Sequence, residues 1–274
     1  MLGKLLKYEM KSTSRVMWFL YAAVIIVGTI IGLMLHINAN GDFYIEQLAE
    51  GAVVPRLATI IFIFVYALLL VGLAIMTIIM IIIRFNNNLL KGEGYLMHTL
   101  PVPTWMLVLS KLIISFVWII IGILASVISA LMLGLTSGIL QYILKNGDLE
   151  TFFRDYWELL GSPSILFIIN MIVSAVMLIL VLYFSMSVGN IANRHKFLLA
   201  VGTFIGVIIV TSVISTLVGN AAGKMIIDEP AFSLSTVSNT VNGLLIKDII
   251  LDAVYAAACY FGTTMIMKKR LNLA

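Results

Sequence analysis

Charge is scarce in this chain. Asp, Glu, Lys and Arg make up 11% of its 274 residues, against 62% hydrophobic residues. A soluble globular domain averages about 25% charged and about 45–50% apolar residues. A chain of this size cannot hide so much apolar surface from water, so its solvent is lipid. Cysteine is nearly absent. The single Cys259 sits in an apolar run, which excludes a disulfide within the chain and a paired-thiol metal site. Proline is also rare. Pro55, Pro101, Pro103, Pro163 and Pro230 all fall outside the long apolar runs, so no run is expected to break in mid-membrane.

Reactive constellations are missing as well. No apolar run holds two carboxylates, which argues against an acid–base pair or a carboxylate-bound magnesium inside the membrane. His36, His98 and His195 lie at run ends or in loops. No His-Glu-x-x-His pattern or Cys/His cluster occurs. There is no G-x-x-x-x-G-K-[ST] loop, and Gly92-Glu93-Gly94 lacks the third glycine of a dinucleotide fingerprint. The chain is therefore expected to be no enzyme and to hold no cofactor or metal of its own.

What the sequence does have is length in its apolar runs. A helix crossing about 30 Å of hydrocarbon needs roughly 20 such residues. Six runs qualify: 16–35, 57–83, 112–135, 165–189, 197–218 and 249–267. They lack the alternation of barrel strands, and only a helix satisfies its own backbone groups in lipid. The expected fold is all-α: a polytopic membrane protein with six transmembrane helices in one domain, 1–274. The first run is longer than the 7–15 residues of a signal-peptide core, and no small-x-small cleavage site follows it, so it is expected to be retained.

The charges sort by loop. Lys4, Lys7, Lys11, Arg15, Arg84, Lys91, Lys111, Arg194, Lys196, Lys268, Lys269 and Arg270 fall on one side, 12 in all. Arg56, Lys145, Arg154, Lys224 and Lys247, 5 in all, fall on the other. The positive-inside rule puts the first set, and with it both termini, in the cytoplasm. The net charge of +4 is thus a topology signal rather than a nucleic-acid one.

Between the runs, four segments stand out. Residues 1–15 read as an amphipathic helix, with Leu2, Leu5, Leu6 and Met10 on one face and Lys4, Lys7, Lys11 and Arg15 on another. Such a helix is expected at the membrane interface, facing lipid phosphates. The loop 84–111 carries turn-forming Asn86, Asn87 and Asn88, then Tyr95, Leu96, Met97 and Leu100, with Thr104 placed to cap the helix near Trp105. Apolar groups rimmed by polar ones suit either a docking surface or packing back onto the spans. The outer segment 136–164 has Phe152, Phe153, Tyr156 and Trp157 among acids and is expected to hold a short surface helix. The outer segment 219–248 is rich in Ser, Thr, Asn and Gly and reads as a loop.

Inside the runs, Asp252 is the one acid. It stands near the outer end of its run, where it is either interfacial or a proton or substrate contact. Asn170, Ser126, Ser129, Ser212 and Ser215 read as helix–helix contacts. The pairs Gly28/Gly32, Gly134/Gly138 and Gly202/Gly206 read as packing sites. Asp252 and Asn170 are the candidates for an intramembrane polar site.

Three stretches carry a resemblance: Leu5-Leu6-Lys7-Tyr8-Glu9-Met10-Lys11 before the first run, Gly92-Glu93-Gly94-Tyr95-Leu96-Met97-His98-Thr99-Leu100-Pro101, and Ser110-Lys111 opening the third run. With the layout, they resemble the permease subunits of ABC transporters of the ABC-2 type, or type V exporters. The resemblance implies that 1–15 is a connecting helix and that Glu93, Gly94, Tyr95, Leu96, Met97, His98 and Leu100 form a coupling helix. Asn193 and Arg194 would supply a smaller coupling contact. It implies two separate ATPase subunits holding ATP and magnesium, a second permease, identical or homologous, and a bacterial plasma-membrane location. Permeases of similar layout export bacteriocins, antimicrobial peptides and modulins, which implies an amphipathic, peptide-like cargo. The 15 methionines suit such a cargo's varied surfaces. An ion-coupled carrier or channel with no ATPase is the alternative.

Overall fold

The computed structural model describes residues 2–38, 53–90, 103–138, 149–192, 194–226 and 234–269. Its elements are all helical: α1 (Leu2–Asn38), α2 (Val53–Phe85) with a single π-helical turn at its end (Asn86–Leu90), α3 (Thr104–Thr136), α4 (Leu149–Gly189), α5 (Lys196–Ile226) and α6 (Leu234–Lys269). Five stretches are long and apolar enough to cross a membrane: Leu5–His36, Ile60–Leu90, Thr104–Thr136, Pro163–Gly189 and Lys196–Gly219. They contain four of the first five expected spans whole and the second, 57–83, from residue 60 on. The sixth, 249–267, lies wholly within α6, which is not among the five. Large apolar side chains point outward along these helices: Ile60, Phe64 and Leu68 on α2 and Phe167 and Ile168 on α4 are exposed. Such a surface suits acyl chains, not water.

The helices outrun the apolar runs at nearly every end. The expected interfacial helix 1–15 is not a separate element, because Leu2–Asn38 is one helix. At its polar junction the hydroxyls bond carbonyls of the same helix. Thr13 Oγ1 donates to the Glu9 carbonyl at 2.8 Å and Ser14 Oγ to that of Lys11 at 3.1 Å. The loop expected from Arg84 is helical to Leu90, with Asn88, Leu89 and Leu90 buried. α3 begins at Thr104, eight residues before its apolar run, and Met106 N donates to the Pro103 carbonyl at 3.0 Å. Ser110 and Lys111, expected at the membrane edge, are buried within it. The expected short outer helix is the start of α4, which continues through Pro163. The expected loop 219–248 is largely helix, shared by α5 and α6.

The chain divides into two compact units. The first comprises Gly3–Met80 and Val117–Thr151. Here α1 and α3 run parallel, their contacts advancing together. Trp118 Nε1 donates to Thr13 Oγ1 at 2.8 Å, the Tyr21 hydroxyl to the Trp118 carbonyl at 2.9 Å, and Ser129 Oγ to the Val24 carbonyl at 3.0 Å. Gly28 then faces Ser129, and Gly32 faces Leu133 and Thr136. Phe62 and Tyr66 of α2 pack on Ile31 and Leu35. Two parallel helices joined by one helix require that helix to return between them, which fits three consecutive crossings. Gly28/Gly32 is a packing site, as expected. Gly138, two residues past the end of α3, has φ 80°, a backbone that favours glycine.

The second unit comprises Met1–Leu2, Ile81–Phe116 and Phe152–Ala274. α4 and α6 run parallel in constant register. Ser174 meets Asp252, and ten residues on, Phe184 meets Gly262. α5 opposes α6: Ser215 meets Asp248 and Gly219 meets Lys247. The ends of α2 and α3 join the ends of α4 and α6. Phe85 stacks on Tyr183 with centroids 4.0 Å apart, Ser115 and Tyr183 share a 2.7 Å hydrogen bond, and the Tyr260 hydroxyl donates to the Trp105 carbonyl at 2.9 Å. Gly202 and Gly206 meet nothing within 4 Å, so this pair does not pack within the described chain.

Candidate functional site

The second unit brings the expected intramembrane candidates together. Asn170 and Asp252 both engage Ser174, which stands one turn after Asn170 on α4. Ser174 Oγ is 3.2 Å from Asn170 Oδ1 and donates a short hydrogen bond to Asp252 Oδ2. All three side chains are partly buried. One turn deeper on α6, the Tyr255 hydroxyl is buried with no hydrogen-bond partner.

Asp252 stands in the middle of α6, not at its start. α6 extends 18 residues before it, because Ser, Thr and Asn in 235–242 continue the helix. At about 1.5 Å per residue, Asp252 lies about 24 Å along the axis from Lys268, and Ser174 about 22 Å from Gly189. If the Gly189 end of α4 and the Lys268 end of α6 mark one face, both depths fall within a hydrocarbon layer of about 30 Å, toward its far side. A carboxylate in the centre of a membrane helix costs about 2.5–3.5 kcal/mol on insertion scales. Such a group is retained where it faces protein, water or a partner charge.

One turn outward on α6 a second cluster is complete. Lys247 Nζ lies 3.0 Å from Asp248 Oδ1, and 3.3 Å from both the hydroxyl and the carbonyl oxygen of Ser215. Ser215 Oγ in turn donates to Asp248 at 3.2 Å. Ser215 is thus a helix–helix contact, as is Ser129. Ser126 bonds the Gly122 carbonyl of its own helix, and Ser212 is exposed.

Of the other expected site residues, Glu93, Gly94, Tyr95, Leu96, Met97, His98, Leu100 and Asn193 lie outside the described residues. Arg194 is exposed in the tight turn between α4 and α5, where Asn190 N donates to Met186 O and Ala192 N to Gly189 O. Lys7, Lys11 and Arg15 project from one exposed face of α1, and Lys4 belongs to the same helix, while Glu9 and Thr13 are buried on the other face. At the basic end of the second unit, Pro103, Thr104, Trp105, Phe261, Thr264, Met265 and Lys268 line an open, mostly apolar groove of about 640 Å³.

Ser174 escaped the sequence reading. The signal was the four-residue spacing of Asn170 and Ser174 on α4, matched by Asp248 and Asp252 on α6. The Phe85–Tyr183 stack had no sequence signal at all. Among the described residues, no group of three His, Cys, Asp or Glu side chains is placed to hold a metal. No family model, no curated protein and no solved structure matches the chain.

Proposed function

We propose that this chain is the membrane-spanning permease subunit of an ATP-driven exporter, with six spans, both termini in the cytoplasm and its ATPase on separate subunits. The observation that carries this proposal is how the segment 91–102 is anchored. It leaves from the buried π turn at Leu90 and returns at Thr104. The first anchor is held by Phe85 on Tyr183 of α4, and the second by Tyr260 of α6 on the Trp105 carbonyl. A push on 91–102 would therefore reach both helices that carry the Asp252 cluster. Single π turns recur at functional sites, where they re-aim a helix end.

The chain itself has no nucleotide-binding motif, so the push has to come from a partner. ATP binding to that partner drives a change only if the partner holds 91–102 differently in its two states. The basic residues flanking 91–102 support a cytoplasmic position for it, on the side where ATP is. α6 supports a sixth span by running parallel to α4 in constant register. The working unit pairs two such permeases with two ATPases at the plasma membrane, and its cargo is amphipathic and peptide-like.

An ion-coupled carrier is the competing function, and the intramembrane Asp252 favours it. The two separate on one experiment. The tagged chain is purified from its native host in mild detergent, and the copurifying proteins are identified by mass spectrometry. An ATPase subunit in near-stoichiometric amount is expected. Recovery of the chain without any ATPase, together with transport by the chain alone in liposomes, refutes the proposal.

A further inference from the structure

The two clusters on α6 differ in one respect. Asp248 and Ser215 surround an ammonium, that of Lys247. Four residues deeper on the same face, Asp252, Ser174 and Asn170 present a similar set of oxygens, and among the described residues no cation pairs with Asp252. Acceptors exceed donors there. The one hydroxyl hydrogen of Ser174 faces both Asp252 Oδ2 and Asn170 Oδ1, and so can serve only one of them at full strength.

We infer that the oxygens of Asp252, Ser174 and Asn170 form a site for a primary ammonium group carried by an amphipathic cargo. An ammonium brings three N–H donors, and the cluster offers an oxygen from each of three residues. Charge-assisted bonds to it offset the cost of holding a carboxylate at this depth. Lys247, held between Asp248 and Ser215 of α5, shows that a carboxylate and a serine hydroxyl at a contact of α6 take an ammonium. Calcium or magnesium fits less well, since each needs at least six oxygens in its shell. On the face of α4 that carries Ser174, the side chains one turn to either side, Met171 and Leu178, are apolar and exposed. A cargo lying there would set its amine on Asp252 and its hydrocarbon on these side chains.

This inference deepens the export proposal and rests on it for the word cargo, but its test needs no ATPase. The full chain in lipid nanodiscs is titrated with tritiated decylamine in a scintillation proximity assay. Saturable binding is expected, displaced by unlabelled decylamine and not by decanol. Asp252→Asn is expected to weaken it about tenfold or more, the loss of about 1.4 kcal/mol or more of charge-assisted bonding. Ser174→Ala, which keeps the charge, is expected to weaken it severalfold and serves if Asp252→Asn does not give monodisperse protein. Any one of three results overturns the site: no saturable binding to the wild type, equal binding to both variants, or displacement by decanol or by millimolar sodium as effective as that by decylamine. If amine binding holds while no ATPase copurifies, the engine is wrong and the site stands. The reverse result removes the site alone.

Discussion

Gly32→Leu is expected to yield little or no monodisperse protein, because it wedges α1 away from α3. A Cβ at position 32 would overlap Thr136 Oγ1 and come within 2.8 Å of the Leu133 carbonyl oxygen and 3.1 Å of its Cα. The hydroxyl can rotate away, but the backbone of α3 cannot. Overpacking a well-packed site costs about 1–3 kcal/mol, and a leucine adds three further carbons to the clash. The site has little slack. Two interhelical bonds fix the spacing below it, Trp118 to Thr13 and Ser129 to Val24, and Leu35 above it is buried at 1% exposure. Small residues at such crossings are what let membrane helices approach when no hydrophobic force drives them together. Gly72→Ala on α2 is the control, since nothing stands within 4 Å of it. Its yield and thermal midpoint by fluorescence-detected size exclusion are expected to match the wild type. Equal behaviour of Gly32→Leu and Gly72→Ala would contradict the α1–α3 pairing.

The second large effect is functional. Glu93→Ala and Tyr95→Ala are expected to abolish transport while leaving the spans folded and the partner's ATP hydrolysis running. Aromatic residues that anchor an interface cost about 2 kcal/mol or more on truncation, about thirtyfold in affinity. Lost grip on 91–102 would leave α4 and α6 without a drive, although Phe85, Tyr183, Trp105 and Tyr260 stay packed. Phe167→Ala, which removes an exposed side chain on α4, is the matched control and is expected to leave coupling unchanged. Transport and ATPase activity are measured together in liposomes holding the permease and its ATPase. Undiminished coupling in both loop variants would count against the docking role.

The positions of the helices were legible in the sequence, and their ends were not. Apolar runs mark where a helix must satisfy its own backbone, and all six runs fall inside helices. They do not mark where a helix stops. Thr13 and Thr136 stand just outside their apolar runs, and each bonds a carbonyl of its own helix, which continues past the point where hydropathy ends it. That is why α1 absorbs 1–15 and why α6 begins at Leu234. Asp252, in the first turn of its apolar run, is for the same reason a mid-helix residue of α6. Asn170, which engages the same serine as Asp252, was legible as a polar residue in a span. Ser174 was not, since the register between α4 and α6 decides that contact and hydropathy carries no register. Gly28/Gly32 was legible because small residues spaced by four have a steric purpose. Gly202/Gly206 has the same spacing and faces open space, so spacing alone does not say which faces meet.

Both the ATPase partner and the direction of drive require 91–102 to face the cytoplasm. The direct test replaces Cys259, the one native cysteine, with alanine and introduces His98→Cys. Cys259 is buried, so its loss leaves the new thiol as the sole target. A membrane-impermeant maleimide is then applied to intact cells and to inside-out vesicles. Labelling in inside-out vesicles and none in intact cells is the expected result. Labelling of intact cells would put the segment outside, beyond the reach of any ATP-burning partner.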